Sequence, residues 1–187
     1  DINGKKKAII SGTAVFKSGK MVGELDETEG RGLSWVLGKA ESGIIEAKSP
    51  EGNMVSMETV RAKGKFSPEI SDGKVKITIK ILEEGNIGEQ AGSENLSKLS
   101  NVAFLEEQKE KVIQSEVTAA INKAKKMDAD IFGFGESIQK KYPKEWANME
   151  NNWDEIFPQI EIEIHVDAKL RLTGRIAVPA VPKEELS

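Results

Sequence analysis

The stretch from Ile160 to Leu172 constrains the fold most, because apolar and polar residues alternate along its whole length. The even-numbered positions are apolar: Ile160, Ile162, Ile164, Val166, Ala168, Leu170 and Leu172. The odd-numbered positions are polar: Glu161, Glu163, His165, Asp167, Lys169 and Arg171. A two-residue period held this long predicts a strand with one buried and one solvated face. One-faced strands are typical of antiparallel sheets, since parallel strands are usually covered on both sides.

Further strands are predicted upstream by shorter alternations. The candidates are Ala8–Phe16, Gly43–Lys48, Met54–Phe66 and Val75–Ile81. Turn-forming residues separate the last three, which predicts a meander. The exposed face of Lys74–Lys80 is basic and that of the final strand begins with two glutamates. Because opposite charges stabilise adjacent strands, we expect these two strands to be neighbours.

Helices are predicted over Asp26–Gly38 and Asn101–Met127, with a loop at Gly85–Gly92 between strand and helix. Within the second helix, the run Glu106–Lys111 is polar throughout and is expected to face solvent. Two shorter helices follow, one capped by Asp130 and one that begins at Pro143 and runs to Phe157. The pattern predicts an α+β fold, an antiparallel β-sheet of about five strands with helices packed on one face. We expect one domain over residues 1–176 and a tail over 177–187.

Six of the chain's aromatic residues lie between Ile131 and Pro158, in a chain with only 5% aromatics. Most fall at helical spacing, and we expect those to pack on the sheet. The expectation of packing on the sheet is weaker for Phe132, because it lies beside Gly133 and near Gly135, where the backbone can approach another surface. The candidate partner-contact residues are Phe132, Gly133, Phe134, Gly135 and Glu136.

Composition gives little support for catalysis or for nucleic-acid binding. The net charge is -4, the basic residues are dispersed, and there is no cysteine to act as a nucleophile or metal ligand. The segment Gly133–Glu136 lacks the third glycine of a phosphate-binding loop, and the single histidine, His165, lies on a solvated strand face. We therefore predict no catalytic, metal or cofactor-binding residues, no nucleic-acid partner and no enzyme activity. No apolar run is long enough to span a bilayer.

Four motifs in this order resemble the C-terminal domain of the Ger(x)C family: "GTAVF", "DIFGFGE", "KYPKEW" and "NWDEIFP". The similarity covers nearly the whole chain, from about Gly12 to Arg175, although the middle matches in pattern more than in wording. Members of this family are the C subunits of nutrient germinant receptors in spore-forming bacteria.

The resemblance implies a lipoprotein on the outer face of the spore inner membrane, anchored by a lipidated (palmitate-bearing) cysteine that this sequence lacks. It implies two integral-membrane receptor subunits as partners and no catalytic role. The chain therefore resembles a C-terminal fragment of such a subunit. We expect it to support receptor assembly and germination signalling through protein contacts. Two alternatives stay open: a small-molecule module that binds the germinant itself, and a carboxylate-based hydrolase of the spore cortex or wall.

Overall fold

Strands and helices follow one another in an order that begins and ends with strands. The structure, a computed structural model, describes residues 12–171. The strands are β1 (Thr13–Lys17), β2 (Lys20–Leu25), β3 (Gly43–Lys48), β4 (Met54–Ser71), β5 (Lys74–Gln90) and β6 (Glu161–Arg171). The helices are α1 (Glu27–Val36), α2 (Leu99–Lys126), α3 (Phe134–Lys141), α4 (Pro143–Trp146) and α5 (Trp153–Ile156). This mixture confirms the α+β class.

In the described part of the chain, the main sheet has four strands in the order β3-β4-β5-β6, and β1 pairs with β2 in a separate two-stranded sheet. The pairs β3–β4 and β4–β5 are antiparallel, which confirms the meander. However, β6 runs parallel to β5, so the prediction of a wholly antiparallel sheet is wrong. Within residues 12–171 the main sheet has four strands, compared with the expected count of about five. The alternation misled because the helices cover only one face of this sheet, so a strand keeps one solvated face whichever direction it runs.

The predicted neighbours β5 and β6 do lie side by side. Lys76 stands opposite Glu161 in the register. Its Nζ lies 3.1 Å from Oε1 of Glu161 and 3.0 Å from Oε2 of Glu163. Hydrogen bonds to Glu163 and Glu161 raise the pKa of Lys76. The charge pattern therefore predicted the pairing correctly, although it carries no information on strand direction.

The helices cover one face of the sheet, as predicted. The apolar residues of β5 on this face, Val75, Ile77, Ile79 and Ile81, are all buried. They belong to the same core as the apolar stripe of α2, which includes Ile113, Val117, Ala120 and Ala124. Burying an aliphatic side chain of this size contributes about 1.5–3 kcal/mol, so this contact contributes substantially to stability. We call this side of the sheet the inner face and the opposite side the outer face.

Two local predictions are wrong. The expected loop at Gly85–Gly92 is largely strand, because β5 continues to Gln90. A Cβ at Gly85 would collide with the ammonium of Lys109, so this glycine makes room for a side chain rather than turning the chain. The expected continuous helix from Pro143 to Phe157 is broken into α4, α5 and two 3-10 turns, Glu150–Asn152 and Phe157–Gln159. Several asparagines in this segment have low helix propensity, which favours the breaks.

Other predictions agree in position. Helix α1 begins after Asp26, whose carboxylate accepts from the backbone N–H of Glu29 in a capping box. Helix α2 matches the long predicted helix within two residues at its start. The early part of the Ala8–Phe16 strand, Leu172 and the proposed tail over 177–187 lie outside the described residues.

Candidate partner-contact surfaces

The predicted contact segment Phe132–Glu136 is mostly buried. Phe132 is 4% exposed and Phe134 is 0% exposed. Their rings stack at 5.0 Å, and the ring of Phe134 meets that of Phe66 on β4 edge-to-face at 4.9 Å. Gly135 is also buried. The two phenylalanines close the core against the sheet.

The glycines of this segment serve the same packing. Gly133 has φ 77, a left-handed conformation that favours glycine and begins α3. A Cβ at Gly135 would lie 2.9 Å from the indole rings of both Trp146 and Trp153. The flanking glycines that suggested a free surface instead let α3 pack beneath two tryptophans. Only Gly133, half-buried, and Glu136, exposed and ion-paired with Lys140, face solvent in this segment.

Asp130 holds the aromatic segment together. Its Oδ1 accepts from the backbone N–H groups of Gly133 and Phe134 at 3.0 Å, and its Oδ2 accepts from that of Gly135 at 2.7 Å. Oδ2 also accepts from Nε1 of Trp153 at 3.2 Å. One carboxylate thus caps α3 and fixes the indole of α5, which confirms the predicted cap and gives it a second task.

The β1–β2 hairpin carries an exposed apolar patch that the sequence reasoning missed. Phe16 is 66% exposed, Met21 is 56% exposed and Val22 is 39% exposed. Phe16 stands opposite Met21 in the register, next to a β-bulge. We call these three residues the hairpin patch. The signal in the sequence was the pair of apolar positions that flank the turn at Ser18 and Gly19.

The hairpin contacts the rest of the chain through residues that adjoin this patch. Nζ of Lys17 donates to the carbonyl oxygen of Asp128 at 2.5 Å and lies 2.8 Å from Oδ1 of Asp154. A Cβ at Gly23 would press on the side chain of Met127, so β2 lies close to the C-terminal end of α2. These contacts join the turn end of β1 to Asp128 and to α5, and the middle of β2 to the end of α2.

The outer face of the main sheet is mixed in character. Glu84 on β5 is ion-paired with Arg61 on β4 and with Arg171 on β6. The hydrogen bond from Arg61, with the nearby charge of Arg171, holds the pKa of Glu84 below its usual value. Among these charges lie three exposed apolar side chains, Ile44, Val60 and Leu82. Isolated apolar residues of this kind are common on protein surfaces.

His165 lies on this outer face, as predicted. Its Nε2 is 3.0 Å from Oε1 of Glu163, and its side chain is about half exposed. Within residues 12–171, there is no group of three or more His, Asp and Glu side chains that could hold a metal ion. The pair is most simply a surface contact between neighbours on one strand.

A cavity of about 800 Å³ lies between the β4–β5 turn and the start of β6. Glu69, Lys74, Lys76 and Glu161 provide charged groups, while Val75, Ile156 and Ile160 provide apolar surface. This combination of an apolar wall and a few charged groups can bind a small polar molecule. The cavity was not found by sequence reasoning, because its lining comes from segments far apart in the chain.

Comparisons with known proteins agree with the resemblance drawn from the motifs. A family model described as "Spore germination B3/ GerAC like, C-terminal" matches residues 11–174. Spore germination protein KC of Bacillus subtilis (strain 168) is 31% identical over 173 residues, which are 90% of this chain and 42% of that protein. Spore germination protein B3 of the same organism is 28% identical, over 93% of this chain and 47% of that protein.

A solved structure supports the same assignment. The crystal structure of the GerBC protein superimposes with a TM-score of 0.77 at 26% identity, covering 90% of this chain and 53% of that one. The chain therefore spans about half the length of the relatives it matches. Over residues 12–171, none of the helices combines the length and the apolar character that crossing a bilayer requires.

Proposed function

Since this chain belongs to the spore germination B3/GerAC-like family through its C-terminal domain, we propose that it is a non-catalytic part of a nutrient germinant receptor. In this role it contributes to receptor assembly and to germination signalling through protein–protein contacts. The relatives, named as spore germination proteins, support this setting. The receptor role of the whole protein is part of the proposal, because the chain spans about half of those relatives.

The proposal includes the partners and the location. The partners are the two integral-membrane subunits of the receptor. The site of action is the outer face of the spore inner membrane, where a lipid anchor carried elsewhere in the full-length protein would hold it. The motif resemblance is the support for both statements.

The hairpin patch is the observation that carries the proposal. Phe16 and Met21 stand opposite each other with exposed apolar side chains, and Val22 beside Met21 is exposed as well; exposed apolar clusters of this kind mark interaction sites. Phe16, at 66% exposed, has the most to gain from burial. Because Lys17, next to the turn, ties the hairpin to Asp128 and Asp154, little conformational freedom would be lost on binding. Gly133 and Glu136 are the two residues of the predicted contact segment that we retain as candidates.

The experiment uses the full-length receptor subunit that contains this chain, expressed in spores. Phe16→Glu combined with Met21→Glu should reduce copurification with the two integral-membrane subunits and slow nutrient-triggered germination. Leu99→Glu is the matched control, because Leu99 is 86% exposed but lies at the opposite end of α2 from the hairpin. If receptor assembly and spore germination with the hairpin variant equal those with the Leu99 control, the hairpin patch is not the contact with the partner subunits.

A second candidate function is binding of the germinant itself, and the cavity beside the β4–β5 turn favours it. Its lysines and carboxylates offer both charges to a small polar nutrient. Calorimetric titration of this chain with amino acids, sugars and nucleosides tests the idea. Saturable heat that is lost in Lys74→Glu, but kept in Lys63→Glu on the outer face of β4, would support it. The absence of heat with every nutrient would reject it.

A further inference from the structure

Strand β6 is the last strand of the main sheet, and one of its two edges faces away from β5. On that edge the backbone N–H of Ala168 donates to Oε1 of Glu110 at 3.1 Å, and that of Leu170 donates to Oε1 of Glu106 at 2.9 Å. In a strand, successive residues direct their peptide groups to opposite edges. The even-numbered residues of β6 therefore direct their N–H and C=O groups away from β5.

The two halves of this edge differ. At Ala168 and Leu170, the carboxylates of α2 occupy the backbone donors. Ile162, Ile164 and Val166 share the same parity, so their N–H and C=O groups face the same way. Within the described part of the chain, no strand lies beyond them and no side chain accepts from their N–H groups. We call the backbone groups of these three residues the open edge.

An open edge is a template for an additional strand, and its side chains determine which strand fits. Toward the inner face, Ile162, Ile164 and Val166 are only partly buried, so each retains apolar surface that a neighbouring aliphatic side chain could cover. Toward the outer face, Glu161 and Glu163 supply negative charge, with side chains 69% and 43% exposed.

The opposite edge of β6, which pairs with β5, shows which neighbouring residues these side chains pack against. There, the segment "KVKITIK" of β5 alternates polar residues, three lysines and one threonine, with branched aliphatic residues. Ile77 stands opposite Ile162, and Ile79 stands opposite Ile164. Lys76 bridges both glutamates. A second strand with this alternation would meet the same two rows of side chains on the open edge.

We propose that the open edge of β6 binds an extended segment of a partner protein that alternates Lys or Arg with branched aliphatic residues, by addition of a strand to the sheet. Main-chain hydrogen bonds to Ile162, Ile164 and Val166 would supply affinity. The glutamates would select for basic residues. The carboxylates of Glu106 and Glu110 limit the added strand to the first half of β6. This inference deepens the proposed function by giving the chemistry of one partner segment.

Amide hydrogen exchange of this chain, measured by NMR, tests the inference directly. The probe is the acetylated and amidated peptide KVKITIK. At saturation, we expect exchange at Ile162, Ile164 and Val166 to slow by about tenfold or more, while Ala168 and Leu170 keep their rates. The charge-reversed peptide EVEITIE is the matched control, and it should bind at least about tenfold more weakly.

Variants of the chain give an independent measurement. Ile164→Pro removes an N–H that faces away from β5, so the β5–β6 hydrogen bonds are kept. It should weaken binding of KVKITIK by about tenfold or more, whereas Ile164→Val should bind like the wild type. If Ile164→Pro does not fold, the two-peptide comparison decides the matter alone.

Three results would overturn the inference. The first is an unchanged exchange rate at all three residues, and the second is equal binding of both peptides. The third is protection from exchange that increases with protein concentration in the absence of peptide, which would mean that a second copy of the chain occupies the edge. None of these results concerns the hairpin patch. Failure here therefore leaves the receptor role to be judged by the spore experiment.

Discussion

The ammonium of Lys109 on α2 lies 2.7 Å from Oε1 of Glu83 on β5, and neither side chain is exposed to solvent. Nζ of Lys109 also donates to the carbonyl oxygen of Glu58 at 3.4 Å. Burial lowers the pKa of Lys109 and raises the pKa of Glu83, while their mutual attraction opposes both shifts. This buried pair joins α2 to β5, and the hydrogen bonds from β6 to Glu106 and Glu110 join the same helix to the sheet edge.

Removing one member of this pair should be more damaging than removing both. Lys109→Met leaves the carboxylate of Glu83 buried without its partner, and we expect a loss of about 3–5 kcal/mol in the free energy of unfolding. The double variant Lys109→Met with Glu83→Leu should recover most of that loss, because no unpaired charge remains. Urea denaturation measures both. A single variant as stable as the double variant would contradict this account.

Two glycines of α1 should respond in opposite ways to the same substitution. A Cβ at Gly32 would collide with the carbonyl oxygen of Glu116 and lie 2.9 Å from Cβ of Ala120. A Cβ at Gly30 would lie 3.6 Å from Oγ1 of Thr13, an ordinary contact. We expect Gly32→Ala to destabilise the fold by about 1–3 kcal/mol, because α1 must move away from α2.

Gly30→Ala should stabilise the chain by about 0.5–1 kcal/mol through helix propensity. Thermal unfolding of the two variants under identical conditions compares them within one helix. Equal effects of the two substitutions would show that α1 and α2 do not approach as closely as Gly32 requires.

Asp130 provides a third prediction. Asp130→Ala leaves three backbone N–H groups and one indole N–H without their acceptor, and we expect a loss of about 2 kcal/mol. The indole N–H resonance of Trp153 should shift in an NMR spectrum, whereas that of Trp35, bonded to Glu116 at 2.7 Å, should not. Asp167→Asn, at an exposed position of β6, is the control and should leave both resonances in place.

The local patterns of the sequence predicted the elements better than their arrangement. The alternation identified β5 and β6, and their opposite charges predicted that they are neighbours. The ion pairs of Lys76 with Glu161 and Glu163 confirm this. The direction of β6 could not be predicted from the pattern, because the two-residue period is the same in parallel and antiparallel strands. The burial of Phe132 was missed because glycine neighbours fit both a close core contact and a free surface.

The polar run Glu106–Lys111 shows why the helix surface was misjudged. It was expected to face solvent, but Lys109 is fully buried on Glu83. Glu106 and Glu110 accept from the backbone of β6. The partner of each of these groups lies more than 25 residues away in the chain: Glu83 for Lys109, Ala168 for Glu110 and Leu170 for Glu106. Local polarity therefore could not distinguish a solvated face from one that completes long-range hydrogen bonds.

The raised pKa of Glu83 gives a pH dependence with a definite sign. Burial is its main cause, opposed by Lys109. A carboxyl whose folded pKa exceeds its usual 4.5 contributes stability below that value and loses it as the pH rises through the folded pKa. In Lys109→Met the opposing charge is absent, so the penalty at neutral pH is larger.

The stability gap between wild type and Lys109→Met should therefore narrow as the pH falls from about 8 to about 5, because protonation removes the unpaired charge in the variant. The gap between wild type and the double variant with Glu83→Leu should change less, since that chain has no carboxyl at this position. Urea midpoints of the three proteins across this range provide the comparison. A gap for Lys109→Met that widens toward acid would mean that Glu83 is not the group left uncompensated in the core.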